Sequence, residues 1–311
     1  MKKLMKKFVF SLIFFVVLVL TLASCGFNKE KSEEAKINIV VTIFPQYDFV
    51  RQLTEGVDSI KVNMLIPPGA DVHCFEPTPQ DFVDIEKSDL LIYCGGKSDA
   101  WIEKILKSSK KDAKKTMSMV DVVKSCSTSN KLKQLIEKDE HVWTSPLNCI
   151  TIVKSLTKKL CEIDGKNALK YNENMEKYVQ KLLKLHESFK DVVAERKRDF
   201  IVFADRFAFL HFVNEYGLKY YALYNNCNSK ADVSPKDVSK IIEKIKKNKV
   251  PLILKLDQSE YKLAESISKE TGVKVKTFYS CHNCSKKDFE NGETVLDMFS
   301  KNVKTLKEAL H

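Results

Sequence analysis

The chain has 311 residues, of which 44% are hydrophobic and 30% charged, and a formal net charge of +11. Its lysines are scattered among glutamates at helix-like intervals, as in IIEKIKKNK, whereas nucleic-acid-binding proteins cluster basic residues with aromatic ones. The composition therefore favours a solvated basic surface and argues against a nucleic-acid partner. The length exceeds that of most single domains and predicts two lobes or one large α/β unit.

The first segment has the pattern of an export signal. Four lysines between Lys2 and Lys7 precede an apolar run over residues 8–22, which is too short and too one-sidedly flanked for a stable membrane-spanning helix. The run closes on the small residues of LAS directly before Cys25, an order that resembles the lipobox of bacterial lipoproteins. We predict a signal peptide over residues 1–24 and lipidation of Cys25. An ordinary signal peptide with a cysteine nearby is the alternative.

A flexible tether is predicted to follow the signal peptide, over residues 25–36. Its sequence after the cysteine, GFNKEKSEEAK, is polar and charged and cannot bury enough apolar surface to fold. Removal of the signal peptide takes away four lysines and no acidic residue, so 48 basic residues face 41 acidic ones and the formal charge falls to +7. The basic excess of the exported chain is thus modest.

Strands and helices alternate from residue 37 onwards. The segment 37–44 is β-branched and almost continuously apolar, as expected of a strand buried on both faces of a parallel sheet. Further strands are predicted over residues 59–66 and 90–94, with helices over 46–54 and 78–87. This order implies right-handed βαβ crossovers and a doubly wound sheet in an N-terminal lobe, residues 37–164.

One long helix is predicted over residues 165–198. The segment has no proline and no internal glycine, and its apolar residues recur at gaps of three and four, which describes an amphipathic helix about 45 Å long. A helix of this length favours a position that spans the molecule, so we place the boundary between two lobes on it. The alternation then restarts in a C-terminal lobe, residues 199–311. Its strands are predicted at 200–203, 219–223, 251–255 and 274–277, and its helices at 207–216, 235–247, 260–271 and 294–310.

Three of the six histidines lie in loops where the ligands of an open α/β sheet collect. His73 follows a predicted strand in PPGADVHCFEPTPQD, whose prolines stiffen the backbone as a metal ligand requires, although a buried structural histidine fits the residues equally well. His141 stands beside Asp139 and Glu140, which could form an outer shell that selects its tautomer. His282 follows a strand of the second lobe at a place that matches His73 in the first.

The remaining histidines favour other roles. His186 lies on the long helix near lysines and is predicted to be solvated, His211 lies among phenylalanines and is predicted to pack, and His311 is the last residue. A zinc hydrolase is a rival interpretation of the metal-binding pattern. It would need a general base, and with no HExxH helix present the only candidate is Glu140.

Eight cysteines remain besides the lipidation site. Export predicts an oxidising environment, but an even count gives no connectivity, so one or two disulfides and mostly free thiols are both allowed. The run CHNC, from Cys281 to Cys284, has no second CxxC with which to complete a four-cysteine zinc site.

Two strings, PPGADVHCFEPTPQD and DEHVWTSP, resemble the signature loops of the substrate-binding lipoproteins of zinc and manganese ABC transporters. The string HNCSKKDFENGETVLDMFSKNVKTLKEAL is similar to their C-terminal end, and the likeness covers residues 37–310. It implies an α/β fold of two similar βα lobes with parallel sheets, linked by one long rigid helix, with a metal site in the cleft between lobes. It also implies a monomer, not an enzyme, that is lipid-anchored on the extracytoplasmic face of the cell membrane and delivers zinc to an ABC permease.

The resemblance carries metal-ligand roles onto His73 and His141. Members usually have a third histidine where this chain reads ADRF, a string in which only Asp205 can bind a cation. Many have a carboxylate where this chain has His282. The implied ligand set is therefore His73, His141, His282 and Asp205. Compared with other members, a carboxylate stands at the position of the third histidine and a histidine at the position of the carboxylate. Three imidazoles and a carboxylate can close a tetrahedron around Zn²⁺.

Two alternatives and one disulfide also follow from the resemblance. Mn²⁺ prefers more oxygen ligands, so a manganese-selective protein is the alternative if a second carboxylate also binds. A surface adhesin is another, because similar lipoproteins have been assigned that role. Look-alike sequences further suggest a Cys227–Cys281 bridge beside the site.

Overall fold

The structure is a computed structural model that describes residues 36–109, 111–224, 233–259 and 262–311. The predicted signal peptide, Cys25, and Cys227 with its suggested disulfide lie outside the described residues. Residues Ile37–His311 form one compact unit. Within the described ranges, none of the helices is both long and apolar enough to cross a membrane.

The N-terminal half is built on a sheet of four parallel strands in the order β2-β1-β3-β4. The strands are β1 (Ile37–Val41), β2 (Ile60–Met64), β3 (Leu90–Tyr93) and β4 (Thr116–Ser118). The helices of this half are α1 (Phe44–Leu53), α2 (Pro79–Lys87), α3 (Ala100–Ser108), α4 (Met119–Cys126), α5 (Asn130–Lys138) and α6 (Pro146–Ile163). The central strand β1 is apolar along its buried end, in agreement with the predicted two-sided burial. Strand β4 was not predicted, since three residues are too few to show a period.

The long helix α7 (Ala168–Ala194) follows, with 27 residues and a length of about 40 Å. A 3₁₀ turn at Gly165–Asn167 precedes it, so the regular helix is shorter at both ends than the predicted segment. It packs against α6 of the N-terminal half and also against the last helix of the chain, described below. Its buried side chains, among them Leu182 and Phe189, belong to one hydrophobic core that extends through both halves.

The C-terminal half repeats the first sheet with four parallel strands in the order β6-β5-β7-β8. The strands are β5 (Phe200–Phe203), β6 (Lys219–Ala222), β7 (Leu252–Leu256) and β8 (Lys274–Phe278). The helices are α8 (Leu210–Tyr216), α9 (Pro235–Asn248), α10 (Lys262–Thr271), α11 (Lys286–Glu290) and α12 (Val295–Leu310). Since the two sheets share one strand order, the prediction of two similar α/β halves linked by a long helix is confirmed.

A buried carboxylate ties α1 to the C-terminal half. Asp48 is fully buried, and its two oxygens accept hydrogen bonds from Arg51 Nη2 at 2.7 Å and from the Val295 amide at 2.9 Å, at the start of α12. Arg51 Nη2 also donates to the Glu293 carbonyl at 2.8 Å. Burial raises the pKa of Asp48, whereas the Arg51 charge and the Val295 amide act in the opposite direction. We call Asp48, Arg51 and Val295 the interlobe clamp.

A second polar junction connects α6, α7 and α8. His186 Nδ1 lies 2.8 Å from Glu215 Oε1 and 3.0 Å from the Tyr216 hydroxyl, and the Ser145 hydroxyl donates to the other oxygen of Glu215. Only 14% of the His186 side chain is exposed, so the prediction that it is solvated is wrong. Helical spacing placed it near lysines but could not reveal that α8 covers it.

The interlobe clamp predicts a measurable loss of stability in an Asp48→Ala variant. Removal of one partner of a buried ion pair leaves the other charge and the Val295 amide uncompensated, so we expect a loss of roughly 2–4 kcal/mol in the free energy of unfolding. Urea denaturation followed by tryptophan fluorescence measures it. Glu187→Gln, which breaks an exposed pair with Lys190, is the control and should not change the transition. An unchanged midpoint in the Asp48 variant would show that the clamp contributes nothing.

Candidate metal centre

The loop that carries His73 is held by a residue of the other half. Within this loop, the Asp71 side chain accepts a hydrogen bond from the His73 amide at 2.9 Å and so begins the 3₁₀ turn that carries the imidazole. The Asn283 side chain donates to the carbonyls of Pro67 and Ala70 at 2.8 and 2.9 Å. Because Asn283 is the neighbour of His282 in the chain, these two bonds couple the position of one imidazole to that of the other.

His141 lies in the connection between α5 and α6, where its imidazole is buried. Asp139 Oδ1 contacts His141 Nδ1, and Asp139 Oδ2 accepts from the Leu210 amide at 3.2 Å. The carbonyl of Asp139 also faces His211 Nε2 at 2.8 Å. His211 is buried in α8, as predicted, and in addition it makes this hydrogen bond. Asp139 thus places His141 relative to both halves of the molecule.

His282 follows β8 in a buried loop. Its Nδ1 lies 3.2 Å from Ser280 Oγ, and this hydroxyl donates at 2.8 Å to the buried carboxylate of Asp257, at the end of β7. Burial, followed by the neighbouring His141 and His73, lowers the pKa of His282 well below its usual range. The imidazole is therefore held in the neutral form that a metal ligand requires.

Ring nitrogens of His73, His141 and His282 converge. One ligand atom from each lies within 4.8 Å of the others. The ring of His282 is 4.4 Å from that of His141 and 5.2 Å from that of His73, measured between centroids. Zn–N bonds of about 2.0–2.1 Å in a tetrahedron place nitrogens about 3.3 Å apart, so small side-chain movements would suffice to bind an ion.

Asp205 does not join this group within the described part of the chain. Its side chain is buried at the end of β5, where Oδ1 accepts from the Arg206 amide at 2.7 Å and Oδ2 from the Leu256 amide at 2.9 Å. Both oxygens therefore hold backbone amides of the C-terminal half.

The Glu140 carboxylate also accepts several hydrogen bonds. Its carboxylate accepts from the amides of Lys97 and Ser98 and from the Ser98 hydroxyl, which lies 3.5 Å from His73 Nδ1. Gly96 allows the close approach, because a Cβ there would lie 2.9 Å from Glu140 Cβ and φ is +85°. A carboxylate held in this way is poorly suited to act as a general base, which removes the one candidate base of the hydrolase interpretation.

An outer shell of carboxylates therefore stands behind the three imidazoles. Asp139 contacts His141 directly, Asp257 reaches His282 through Ser280, and Glu140 reaches His73 through Ser98. Such partners orient ligand imidazoles and raise their basicity, and they leave the second ring nitrogen for the ion. Asp257, Ser280 and Ser98 were missed in the sequence, although Asp257 and Ser280 lie just after strands, where ligand-binding groups of parallel sheets collect.

The family model described as zinc-uptake complex component A, periplasmic, matches residues 39–309. Zinc-binding lipoprotein AdcA of Streptococcus pneumoniae is 26% identical over 96% of the chain, and the chain spans 60% of the length of that relative. High-affinity zinc uptake system protein ZnuA of Bacillus subtilis is 26% identical over 94% of both chains. Manganese ABC transporter substrate-binding lipoprotein PsaA of Streptococcus pneumoniae is 25% identical over 99% of the chain.

Solved structures show the same fold. The Zn(II)-bound ZnuA-like domain of Streptococcus pneumoniae AdcA has a TM-score of 0.75 with 26% identity, over 88% of this chain and 99% of that domain. The metal-dependent lipoprotein YcdH of Bacillus subtilis has a TM-score of 0.76 with 25% identity, over 89% of this chain and all of that one.

The outer shell predicts that Asp139→Asn weakens binding of a divalent cation at the three imidazoles. The amide keeps the shape of the side chain but loses the charge that fixes and polarises His141, and changes of this kind typically cost about 10–100-fold in metal affinity. Competition with a chromophoric chelator measures the dissociation constant. Glu137→Gln, two residues away with an exposed side chain, is the matched control. Equal affinities in the two variants would contradict the role of Asp139.

Proposed function

Because the chain belongs to the zinc-uptake complex component A family, we propose that it binds Zn²⁺ outside the cytoplasm and delivers it to an ABC permease. Members of this family are components of metal-uptake complexes and not enzymes. The observation that carries the proposal is the convergence of His73, His141 and His282. Uncharged imidazoles are good ligands for zinc, whereas Mn²⁺ prefers oxygen donors, so three nitrogen donors favour zinc.

Asp205 stays the predicted fourth ligand. A carboxylate would complete the tetrahedron, but to bind the ion it has to give up at least one of the two amides that it now accepts from. Breaking such a bond leaves a buried amide unpaired at a cost of about 1–3 kcal/mol, which the metal bond has to offset. A fourth ligand from outside the chain would avoid this cost.

Zinc titration of single variants tests the proposal. We expect one Zn²⁺ per chain, and losses greater than the roughly 10–100-fold of outer-shell changes in His73→Ala, His141→Ala and His282→Ala. His311→Ala, at the end of the chain, is the control. Asp205→Asn should weaken binding comparably if Asp205 is a ligand, and should bind almost normally if it is not. Binding of Mn²⁺ in strong preference to Zn²⁺ would favour the manganese alternative, and binding of neither ion would refute the proposed function.

Lipidation of Cys25 would attach the chain to the membrane in which the permease lies. We propose that lipidation of Cys25 and a tether over residues 26–36 hold a monomer on the extracytoplasmic face of the membrane. The relatives AdcA and PsaA are named lipoproteins, which supports the proposal. A short flexible tether raises the effective concentration of the metal-loaded chain near the permease into the millimolar range, to order of magnitude.

A Cys25→Ala variant tests the anchor. Without the thiol no diacylglyceryl group can attach, so we expect the chain to leave the membrane fraction and to move from the detergent-rich to the aqueous phase on phase partitioning. Cys126→Ala, which removes an exposed thiol elsewhere, should remain with the membrane. Retention of the Cys25 variant in the membrane would show that another segment anchors the chain.

A further inference from the structure

A small cavity of about 30 Å³ opens beside the candidate metal centre. Its lining residues include His73 from the first half, His282 from the second, and Asp257, which directly follows β7. The space is comparable with the volume of one water molecule in the liquid. An ion placed there would therefore lie near all of its walls, including the wall to which Asp257 contributes.

The two carboxylate oxygens of Asp257 differ in their hydrogen bonds. Oδ1 accepts from both the amide and the hydroxyl of Ser280, at 2.9 and 2.8 Å. Oδ2 is buried and has no hydrogen-bond partner in the part of the chain that the structure describes. Burial of a carboxylate oxygen without a partner is costly, and a bound cation compensates that cost directly.

Asp205, the carboxylate singled out in the sequence, is less available. Its two oxygens accept from the amides of Arg206 and Leu256, so it would have to give up at least one of these bonds in order to bind an ion. Asp257 would give up none, because Oδ1 keeps both bonds from Ser280 while Oδ2 contacts the ion. Of the two side chains, Asp257 thus offers the oxygen that binds at the smaller cost.

Ser280 also relates Asp257 to one of the imidazoles. Its hydroxyl donates to Asp257 Oδ1 and lies 3.2 Å from His282 Nδ1, so Asp257 Oδ2 and His282 Nε2 are the two atoms that remain for an ion. Among the described residues, Asp257 lies outside the group of ligand atoms within 4.8 Å of one another, so its carboxylate has to approach when the ion binds. The intervening space is no larger than one water molecule, so this movement is short.

We propose that Asp257 Oδ2 is the fourth ligand of the ion that the three imidazoles bind. The inference rests on the proposed function and assigns to Asp257 the role that the sequence resemblance gave to Asp205. Three imidazoles and one carboxylate close a tetrahedron of the kind that suits Zn²⁺. The carboxylate also brings a negative charge to a dication that otherwise has only neutral ligands, which strengthens its binding. Asp205 then holds the backbone at the ends of β5 and β7 and does not contact the ion.

Absorption spectroscopy of a Co²⁺-loaded Asp257→Cys variant of the full chain tests this assignment. A thiolate bound to Co²⁺ gives an intense charge-transfer band in the near ultraviolet, and position 257 produces one only if its side chain reaches the ion. We expect this band to saturate at one Co²⁺ per chain. The unchanged chain provides the baseline for its own cysteines, and Asp205→Cys is the matched control that should add no band. A new band in Asp205→Cys and none in Asp257→Cys would overturn the inference.

Zinc titration separates a ligand from a residue that acts only through Ser280. Asp257→Asn keeps the shape of the side chain and an oxygen that can accept from Ser280, but it loses the charge. We expect its affinity for Zn²⁺ to fall by more than the roughly 10–100-fold of outer-shell changes, and the affinity of Asp205→Asn to stay within about tenfold of the unchanged chain. A smaller fall in Asp257→Asn, together with no charge-transfer band in Asp257→Cys, would show that Asp257 only orients His282 and would overturn the inference.

A crystal structure of the zinc-loaded, unchanged chain tests the assignment without any variant that has to fold. We expect a bond of about 2.0–2.2 Å between the ion and Asp257 Oδ2. A water molecule or Asp205 in the fourth position would overturn the inference and leave the proposed function intact. Absence of zinc binding by the unchanged chain would overturn the proposed function itself.

Discussion

The Asn283 side chain donates to two carbonyls of the loop that carries His73, and the candidate metal centre depends on this contact between the halves. The Gly69 amide of the same loop also donates to the Cys284 carbonyl, at 2.8 Å. The interlobe clamp of Asp48, Arg51 and Val295 also connects the two halves, at the start of α12. Together with the packing of α7 against both halves, these contacts fix the distances between the loops that carry the three imidazoles.

A site made in this way combines stiffness with neutral donors. The carboxylates behind the imidazoles select the ring nitrogen that faces the ion, and they are in turn held by amides and hydroxyls. Burial keeps His282 uncharged, so a cation does not have to displace a proton from it at neutral pH. The negative charges of Asp139 and Glu140 lie behind the ligands, where they attract a cation without binding it.

Relatives named for zinc and for manganese have similar sequence identity to this chain, so overall similarity alone does not identify the metal. Selection has to come from the donors, and in this chain three are nitrogens. The identity of the fourth ligand decides how closely the complete ligand set matches the one that zinc prefers.

The longer parallel strands, the long helix α7 and most helices of the C-terminal half could be predicted from local patterns, whereas α3 and α4 were not predicted. The buried parallel strands are apolar runs and α7 is a long stretch of three-and-four spacing, and both signals come from burial within one element. The short strand β4 and the five-residue helix α11 carry too few residues to show a period. The solvation of His186 was predicted wrongly, because the residues that cover it belong to another helix.

The sequence by itself determined that this chain has two α/β halves around a long helix, and its motifs singled out His73, His141 and His282. Only the tertiary structure brought the three imidazoles together and engaged both oxygens of Asp205 with amides. The physical reason is that pattern and propensity act over a few residues. The distance between two side chains on different sheets is set instead by contacts such as those of Asn283 and Asp48, whose partners lie more than two hundred positions away in the chain.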